Sequence, residues 1–404
     1  MDFQQLEHSS NIIQMFPMTE GKGLVEKVEE NSVSRFIGTV LLKPTYACNA
    51  DCDYCCAPPE DNNKWTVERF KLMFDRLEPV LRHNCTFIWH GGEPMLMSPQ
   101  FYEECCEHVL SKLKNPEFAM QSNLTKYSRS KWKPLLEKYF DSSISSSFDA
   151  DEYHRTINGD PVRYSQRFKK SFSEVVEDGF DCGLITVLDK TNSHTVDKFI
   201  DFGAKAAKNG NMIGISINRM EAAGRKKDDG SLLTNKEYAE ILIHALERWR
   251  REELDLKIEP LASLLSAYVN GSTVMRCGNN HSCARGMMML DWDGTVSTCD
   301  DLKYMSANPK EYAYGNILED SLFDIISSPS FKKIASRIYN IPMECHECEA
   351  FSMCKGGCPV YVLKNNNNIS DKDPRCEQFQ MIFKHIKKLE GTGELGWYDK
   401  YLNN

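Results

Sequence analysis

Three cysteines, Cys48, Cys52 and Cys55, stand at the spacing Cys-x3-Cys-x2-Cys in the run KPTYACNADCDYCCAPP, just after an apolar stretch. Three thiolates on one short loop can hold three irons of a cubane. Such clusters normally take four cysteines, so one iron would stay open to an outside ligand, which makes a loop reactive rather than merely structural. The same trio also suits a zinc site or an apolar core. Cys56, next to Cys55, points elsewhere on this reading and is a spectator. A second array is denser: Cys277, Cys283, Cys299, then Cys345-x2-Cys348-x5-Cys354-x3-Cys358, and finally Cys376. Eight thiolates can close two cubanes with four each. Two zinc ribbons compete with that, because paired Cys-x2-Cys units suit tetrahedral zinc. The readings separate on context: a redox cubane at the first loop needs electrons supplied or removed. Gly91-Gly92-Glu93-Pro94 is a third candidate. Paired glycines allow close backbone approach, and a glutamate with exposed carbonyls can accept hydrogen bonds from an ammonium group. A plain tight turn explains the glycines equally well.

The elements that must position these residues alternate. Short β-rich runs fall at Phe36 to Leu42, Cys85 to Trp89, Glu117 to Gln121, Ser142 to Ser147, Cys182 to Leu188 and Met212 to Ile217, with helical stretches between them. Helix starts are expected at Thr66 and at Ser98-Pro99, which have N-cap chemistry, and Thr234 to Glu253 reads as a long amphipathic helix. Six strand-helix units in series imply an α/β fold with a parallel sheet, curled into six-eighths of a barrel, a partial (β/α)6 TIM-like barrel. In such sheets chemistry sits at the carboxyl ends of the strands. Strand one leads into the cysteine loop, strand two into His90 and the glycine pair, strand three into Gln121-Ser122-Asn123, strand four into Ser147-Phe148-Asp149, and strand six into Asn218-Arg219. The polar residues gather at one rim. The division expected is an extension over 1–35, the barrel over 36–270, a small cysteine-rich domain over 271–376 and a C-terminal helix and tail over 377–404.

Composition narrows the class without naming a function. The chain has 404 residues, 41% hydrophobic and 26% charged, as ordinary globular proteins do. Its net charge of -9 is spread along the chain, and the cluster Arg225 to Lys227 is followed at once by Asp228 and Asp229. Nucleic acid is therefore not an expected partner. The first residues lack a basic start and an apolar core, and no apolar run approaches the length of a bilayer span, so no membrane is expected and the cytoplasm is the expected location. Sixteen cysteines then point to metal rather than disulfides. Cys85, Cys105, Cys106 and Cys182 fall on strands and a helix and read as small buried apolar residues.

The three-cysteine loop, with Tyr54 just before its last cysteine, resembles the cluster loop of the radical S-adenosylmethionine (SAM) enzymes. The resemblance implies that the open iron chelates the amino and carboxylate groups of SAM, that one electron cleaves the sulfonium to a 5'-deoxyadenosyl radical, and that Tyr54 lies against the adenine. Gly91, Gly92, Glu93 and Pro94 match the family's GGEP motif, which contacts the amino group of SAM. Ser147 and Arg155 stand where relatives hold its ribose and carboxylate, although the usual Ser-x-Asp-Gly reads Ser147-Phe148-Asp149-Ala150. The frequent Gln-Thr-Asn-Gly reads Gln121-Ser122-Asn123-Leu124 and makes Asn123 a SAM contact. A surface serine and a solvated arginine are the plain alternatives. The second array resembles the SPASM domain. Carried over, one auxiliary [4Fe-4S] cluster takes Cys277, Cys283, Cys299 and Cys358, and the other takes Cys345, Cys348, Cys354 and Cys376, for three clusters in all. Asp300, following Cys299, stands where the sulfatase-maturing branch keeps an aspartate that accepts a substrate proton; a capping or solvated aspartate is the alternative.

The implied activity is that of an oxidoreductase acting on a peptide: hydrogen abstraction, then loss of an electron and a proton, giving a C–C, thioether or ether crosslink in a ribosomal precursor peptide. Oxidation of a cysteine or serine to formylglycine, as in anaerobic sulfatase maturation, is the second reading. A non-catalytic zinc or electron-transfer protein is the third. The expected partners are the precursor peptide, an external electron donor of flavodoxin or ferredoxin type, and a separate leader-binding protein or another surface, because 35 residues ahead of strand one are too few for a winged-helix module.

Overall fold

A computed structural model describes residues 34–398 apart from 57–62, 152, 209, 210, 212, 272–276, 278, 279, 306, 307 and 309. The extension expected over 1–35 therefore lies almost wholly outside the described residues, as does Met212 of the sixth expected strand.

The strand-helix alternation is present. β1 (Ile37–Leu42), β2 (Leu81–Trp89), β3 (Glu117–Ser122), β4 (Ser143–Ser147), β5 (Asp181–Leu188) and β6 (Ile213–Arg219) are joined by α1 (Val67–Leu77), α2 (Pro99–Leu110), α3 (Arg129–Tyr139), α4 (Pro161–Glu177) and α5 (Val196–Ala207), with α6 (Asn235–Glu252) following β6. All six strands pair in parallel with their sequence neighbours. The expected caps hold: Thr66 and Ser98 accept from the backbone N–H groups of Arg69 and Phe101. Thr234 and Glu237 form a reciprocal capping box at the head of α6.

Two features exceed the sequence reading. A seventh strand, β7 (Lys257–Glu259), pairs in parallel with β6, and α7 (Leu261–Asn270) follows it. The cysteine-rich region then rejoins the sheet. β8 (Met287–Leu290) lies parallel to β1, β9 (Thr295–Ser297) turns back against β8, and β10 (Gly315–Asn316) closes the edge. One ten-stranded sheet, in the order β10-β9-β8-β1-β2-β3-β4-β5-β6-β7, therefore carries both cysteine systems. β1 sits between β2 and β8, so the loop leaving its carboxyl end is flanked by both regions.

The core explains why the rim is rigid. Trp89, fully buried at the end of β2, meets Tyr102 and Phe101 of α2 edge-on, with centroids 5.0 and 5.9 Å away, and Phe70 of α1 at 5.4 Å. Such pairs add about 0.5–1.5 kcal/mol each beyond the area they bury. Tyr102 also donates its hydroxyl to the Pro94 carbonyl at 2.7 Å, tying α2 to the loop after β2. On the other side α8 (Cys376–Gly391) packs along α6, with His385 on Glu247 at 2.7 Å.

Candidate active site

The three-cysteine loop is gripped from three sides. The loop after β2 donates from Gly92 N to Thr45 O and from Glu93 N to Ala47 O, both 2.9 Å. A Cβ on Gly91 would meet Thr45 O at 2.3 Å, and one on Gly92 would meet Tyr46 O and Ala47 O at 2.3 and 2.4 Å. The glycine pair is thus required by the cluster loop's own backbone. From the loop after β4, the carbonyls of Thr156 and His154 accept from Asp51 N and Asp53 N at 3.0 and 3.2 Å. His154, 2% exposed, holds the Asp53 carboxylate through Nδ1 at 2.8 Å. From the loop after β6, Arg225 N donates to Cys55 O at 3.0 Å and its guanidinium to Cys52 O at 3.1 Å. Gly224, at φ +56°, lets that turn approach, because a Cβ there would sit 2.4 Å from Cys55 O.

The expected SAM contacts are all at this rim, but several side chains are already engaged. Glu93 is fully buried and accepts from Met95 N, Ser122 Oγ and Asn123 N at 2.7–2.8 Å. Burial pushes its carboxyl up to about 7 against the pull of those donors. It therefore locks the loops after β2 and β3 together. Asn123 donates to Cys48 Sγ at 3.9 Å and to Asn49 Oδ1 at 3.3 Å. Tyr54 donates its hydroxyl to Asp149 at 2.5 Å, and Arg155 Nε donates to the same oxygen at 2.8 Å while lying 5.2 Å over the Tyr54 ring. Burial opposes the charge of Arg155, but Asp149 outweighs it and holds the guanidinium well above its ordinary pKa. Ser147 accepts from Gln121 at 3.0 Å. Phe148 stacks at 4.6 Å on Phe168 of α4 and anchors this loop. Arg219, at the end of β6, bonds Glu221 and Asn235, both 2.7 Å away.

The second array falls into two neighbourhoods. The Cys299 thiol interacts electrostatically with Cys283, Cys277 and Cys358, and Cys358 interacts with Cys283 and Cys277. Cys354 feels Cys376 and Cys345, and Cys376 feels Cys348. Members far apart in the chain are brought together by Asp373, which accepts from Cys358 N at 2.9 Å and is clamped by Arg375, itself 3.6 Å over Tyr361. The buried Arg337 donates to the carbonyls of Ile369 and Gly356 at 2.5 and 2.6 Å. Burial raises the thiols of both systems, Cys48 to about 12 and Cys52 to about 11, so metal binding must displace their protons. Among the described residues, no three His, Cys, Asp or Glu side chains are disposed to hold a single metal ion.

The two systems meet at Asp300. Its carboxylate pairs with Lys43, a fully buried lysine at the carboxyl end of β1. Cys56 interacts with Asp300 and Lys43, so its thiol lies at this junction and not apart from it as a spectator would. Asp301 is raised to about 6 by burial and by repulsion from Asp300 and Glu221. The sequence reading passed over Lys43, His154, Arg225, Asp301 and Asp373. Lys43 carried a signal, being a cation at a strand end immediately before the cysteines. Cys85, Cys105, Cys106 and Cys182 are buried in the core, as expected of small apolar residues.

Residues 42–203 match the radical SAM superfamily, and residues 277–349 match SPASM, an iron–sulfur cluster-binding domain. The chain is a radical SAM protein with a SPASM domain. Domains of these kinds imply [4Fe-4S] clusters and SAM. It is similar to the cysteine-type anaerobic sulfatase-maturating enzyme of Clostridium novyi (strain NT), 25% identical over 376 residues that cover 87% of this chain and 96% of that protein. Native anSMEcpe with bound AdoMet has the same fold at a TM-score of 0.71 and 20% identity, covering 88% and 98% of the two chains. Streptococcus suis SuiB bound to its precursor peptide SuiA matches at a TM-score of 0.61 and 16% identity, covering 93% and 88%. No helix among the described residues is long and apolar enough to cross a membrane.

Proposed function

We propose that this chain is an oxidative peptide maturase. When bound at Cys48, Cys52 and Cys55, a cluster with one open iron would supply SAM cleavage and a deoxyadenosyl radical that takes hydrogen from a substrate carbon. The chain's own part is positional. The grip of the loops after β2, β4 and β6 fixes the three thiols, and the backbone carbonyls of the Gly91-Gly92 turn are left for the SAM ammonium, because Glu93 is spent on Ser122, Asn123 and Met95. Pro94 begins the short turn that Tyr102 holds. Asn123, Ser147, Arg155 and Tyr54 form the remaining wall. Cys277, Cys283, Cys299 and Cys358 hold one auxiliary cluster, and Cys345, Cys348, Cys354 and Cys376 the other.

The observation that carries this reading is the Lys43–Asp300 pair. It joins the strand that feeds the cluster loop to the residue after Cys299, so both cysteine systems border one buried ion pair. Beside that pair Asp300 is placed to take the proton of a substrate that has lost a hydrogen atom, and clusters held by the eight cysteines of the second array would supply the acceptor for the second electron, for a net loss of two hydrogens. Lys43 supplies the counter-charge that a buried carboxylate needs. A crosslink in a ribosomal precursor peptide is the product proposed. Formylglycine formation is the second reading, favoured by the similarity to sulfatase-maturating enzymes.

Anaerobic metal and sulfide analysis tests the framework: about twelve irons per chain fits three cubanes, whereas two zincs with little iron refutes it. The reduced enzyme is then incubated with SAM and candidate peptides. Fragmentation that locates a new bond supports the crosslink, and a trapped aldehyde supports formylglycine.

A further inference from the structure

A cavity of about 680 Å³ opens between the loop after β3 with the start of α3 and the side of α4, lined by Thr125, Ser128, Arg129, Ser130, Arg167 and Lys170, with Glu174 as its one carboxylate among the described lining. Its near end, at Thr125 and Ser128, is on the rim of the cysteine loop where β3 ends and α3 starts, and it runs from there along α4 as far as Glu174. Its floor reaches the cysteines directly. Thr125, 8% exposed, donates to Asn123 Oδ1 at 2.7 Å and accepts from Asn49 at 2.6 Å, and Asn123 donates to Cys48 Sγ. Two hydrogen-bonded side chains therefore separate an open basic cavity from a sulfur of the three-cysteine loop.

The surrounding charge is arranged against local stability. Cations at a helix start and anions at its end oppose the macrodipole, yet α3 opens with Arg129 and Lys131, and α4 carries Arg163 and Arg167 in its first half, Lys170 just past its middle and Glu174 and Glu177 at its end. Arg129 is partly neutralised by Glu177 and Asp178. Lys126, Lys131, Arg163, Arg167 and Lys170 enter no ion pair among the described residues. Against the chain's net charge of -9, Arg167 and Lys170 leave the lining of the cavity basic.

We infer that this face docks a small, acidic one-electron carrier protein and that the electron enters through Thr125, Asn123 and Cys48. The inference rests on the proposed function, which requires one-electron reduction of a cluster at Cys48. Charge complementarity selects an acidic partner, and the contact with Cys48 selects a redox partner over an acidic peptide.

The test uses full-length, iron-loaded protein and two reductants, dithionite and a reduced flavodoxin of negative net charge, with bleaching of the visible iron–sulfur absorbance followed by stopped flow. For Arg167→Glu with Lys170→Glu, the flavodoxin rate at low salt falls by about tenfold or more, its salt dependence flattens, and the dithionite rate stays within about threefold. The milder Arg167→Gln with Lys170→Gln lies between, and Lys205→Glu with Lys208→Glu, on exposed positions at the far end of α5, changes neither rate. An unchanged flavodoxin rate overturns the proposal. So does an equal loss with dithionite, or an effect confined to substrate-peptide binding, which would assign the face to an acidic peptide. A wild-type protein that bleaches with flavodoxin but yields no deoxyadenosine from SAM would refute the proposed function and leave the docking result standing.

Discussion

Replacing Gly92 with alanine should empty the three-cysteine loop while sparing the second array. The added Cβ would sit 2.3 Å from Tyr46 O and 2.4 Å from Ala47 O, whereas a carbon and a carbonyl oxygen approach no closer than about 3.3 Å. Both contacts are with backbone atoms that cannot rotate aside, so the loop after β2 must retreat by about 1 Å. That displacement breaks the 2.9 Å bonds from Gly92 N to Thr45 O and from Glu93 N to Ala47 O. At about 1 kcal/mol each the direct loss is about 2 kcal/mol, and any loosening of the Glu93 contacts to Ser122 and Asn123 adds to it. The protein should still fold, because the core beneath the rim is untouched. Iron after anaerobic reconstitution should drop from about twelve to about eight per chain, deoxyadenosine production should vanish, and the absorbance of the remaining clusters should persist. Full iron content together with wild-type SAM cleavage would refute the idea that this close backbone approach holds the cysteines in place.

Breaking the Lys43–Asp300 pair from one side should be worse than removing both charges. Lys43→Met leaves an uncompensated buried carboxylate and should cost about 3–5 kcal/mol in denaturant melts, with Lys43→Met plus Asp300→Asn recovering much of it; additive losses would mean the two groups do not interact. Asp300→Ala should abolish peptide oxidation while SAM cleavage continues, and unchanged product formation would remove Asp300 from the chemistry. His90 is pushed down to about 4 by burial and by the Lys43 ammonium. Its neutral form is favoured in the fold, so nothing is lost above pH 6.5, and stability falls as pH drops from about 6.5 to 4, by about 2–3 kcal/mol. His90→Gln should flatten that part of the profile, and an unaltered profile would count against a buried neutral histidine. Cys85 and Cys182, raised to about 12 by burial, should resist iodoacetamide at pH 8 until the chain is unfolded, as read by mass spectrometry.

The sequence by itself determined the periodic strand-helix order, the caps at Thr66 and Ser98, and the cysteines, because each depends on neighbours a few residues away. β-branched runs, N-cap hydroxyls and Cys-x2-Cys spacings are local signals. It did not reveal β7, whose three residues are too few for a pattern, or the return of β8 to pair with β1, which depends on contacts some 250 residues apart in the chain. Nor could it show that Glu93 is consumed by the loop after β3, that Cys56 lies beside Asp300, or that Lys43 is the partner of Asp300. Those are settled by which groups are excluded from water together: a buried charge must find its counter-charge within the fold. That partner can lie anywhere in the chain, so it becomes visible only once the chain is packed.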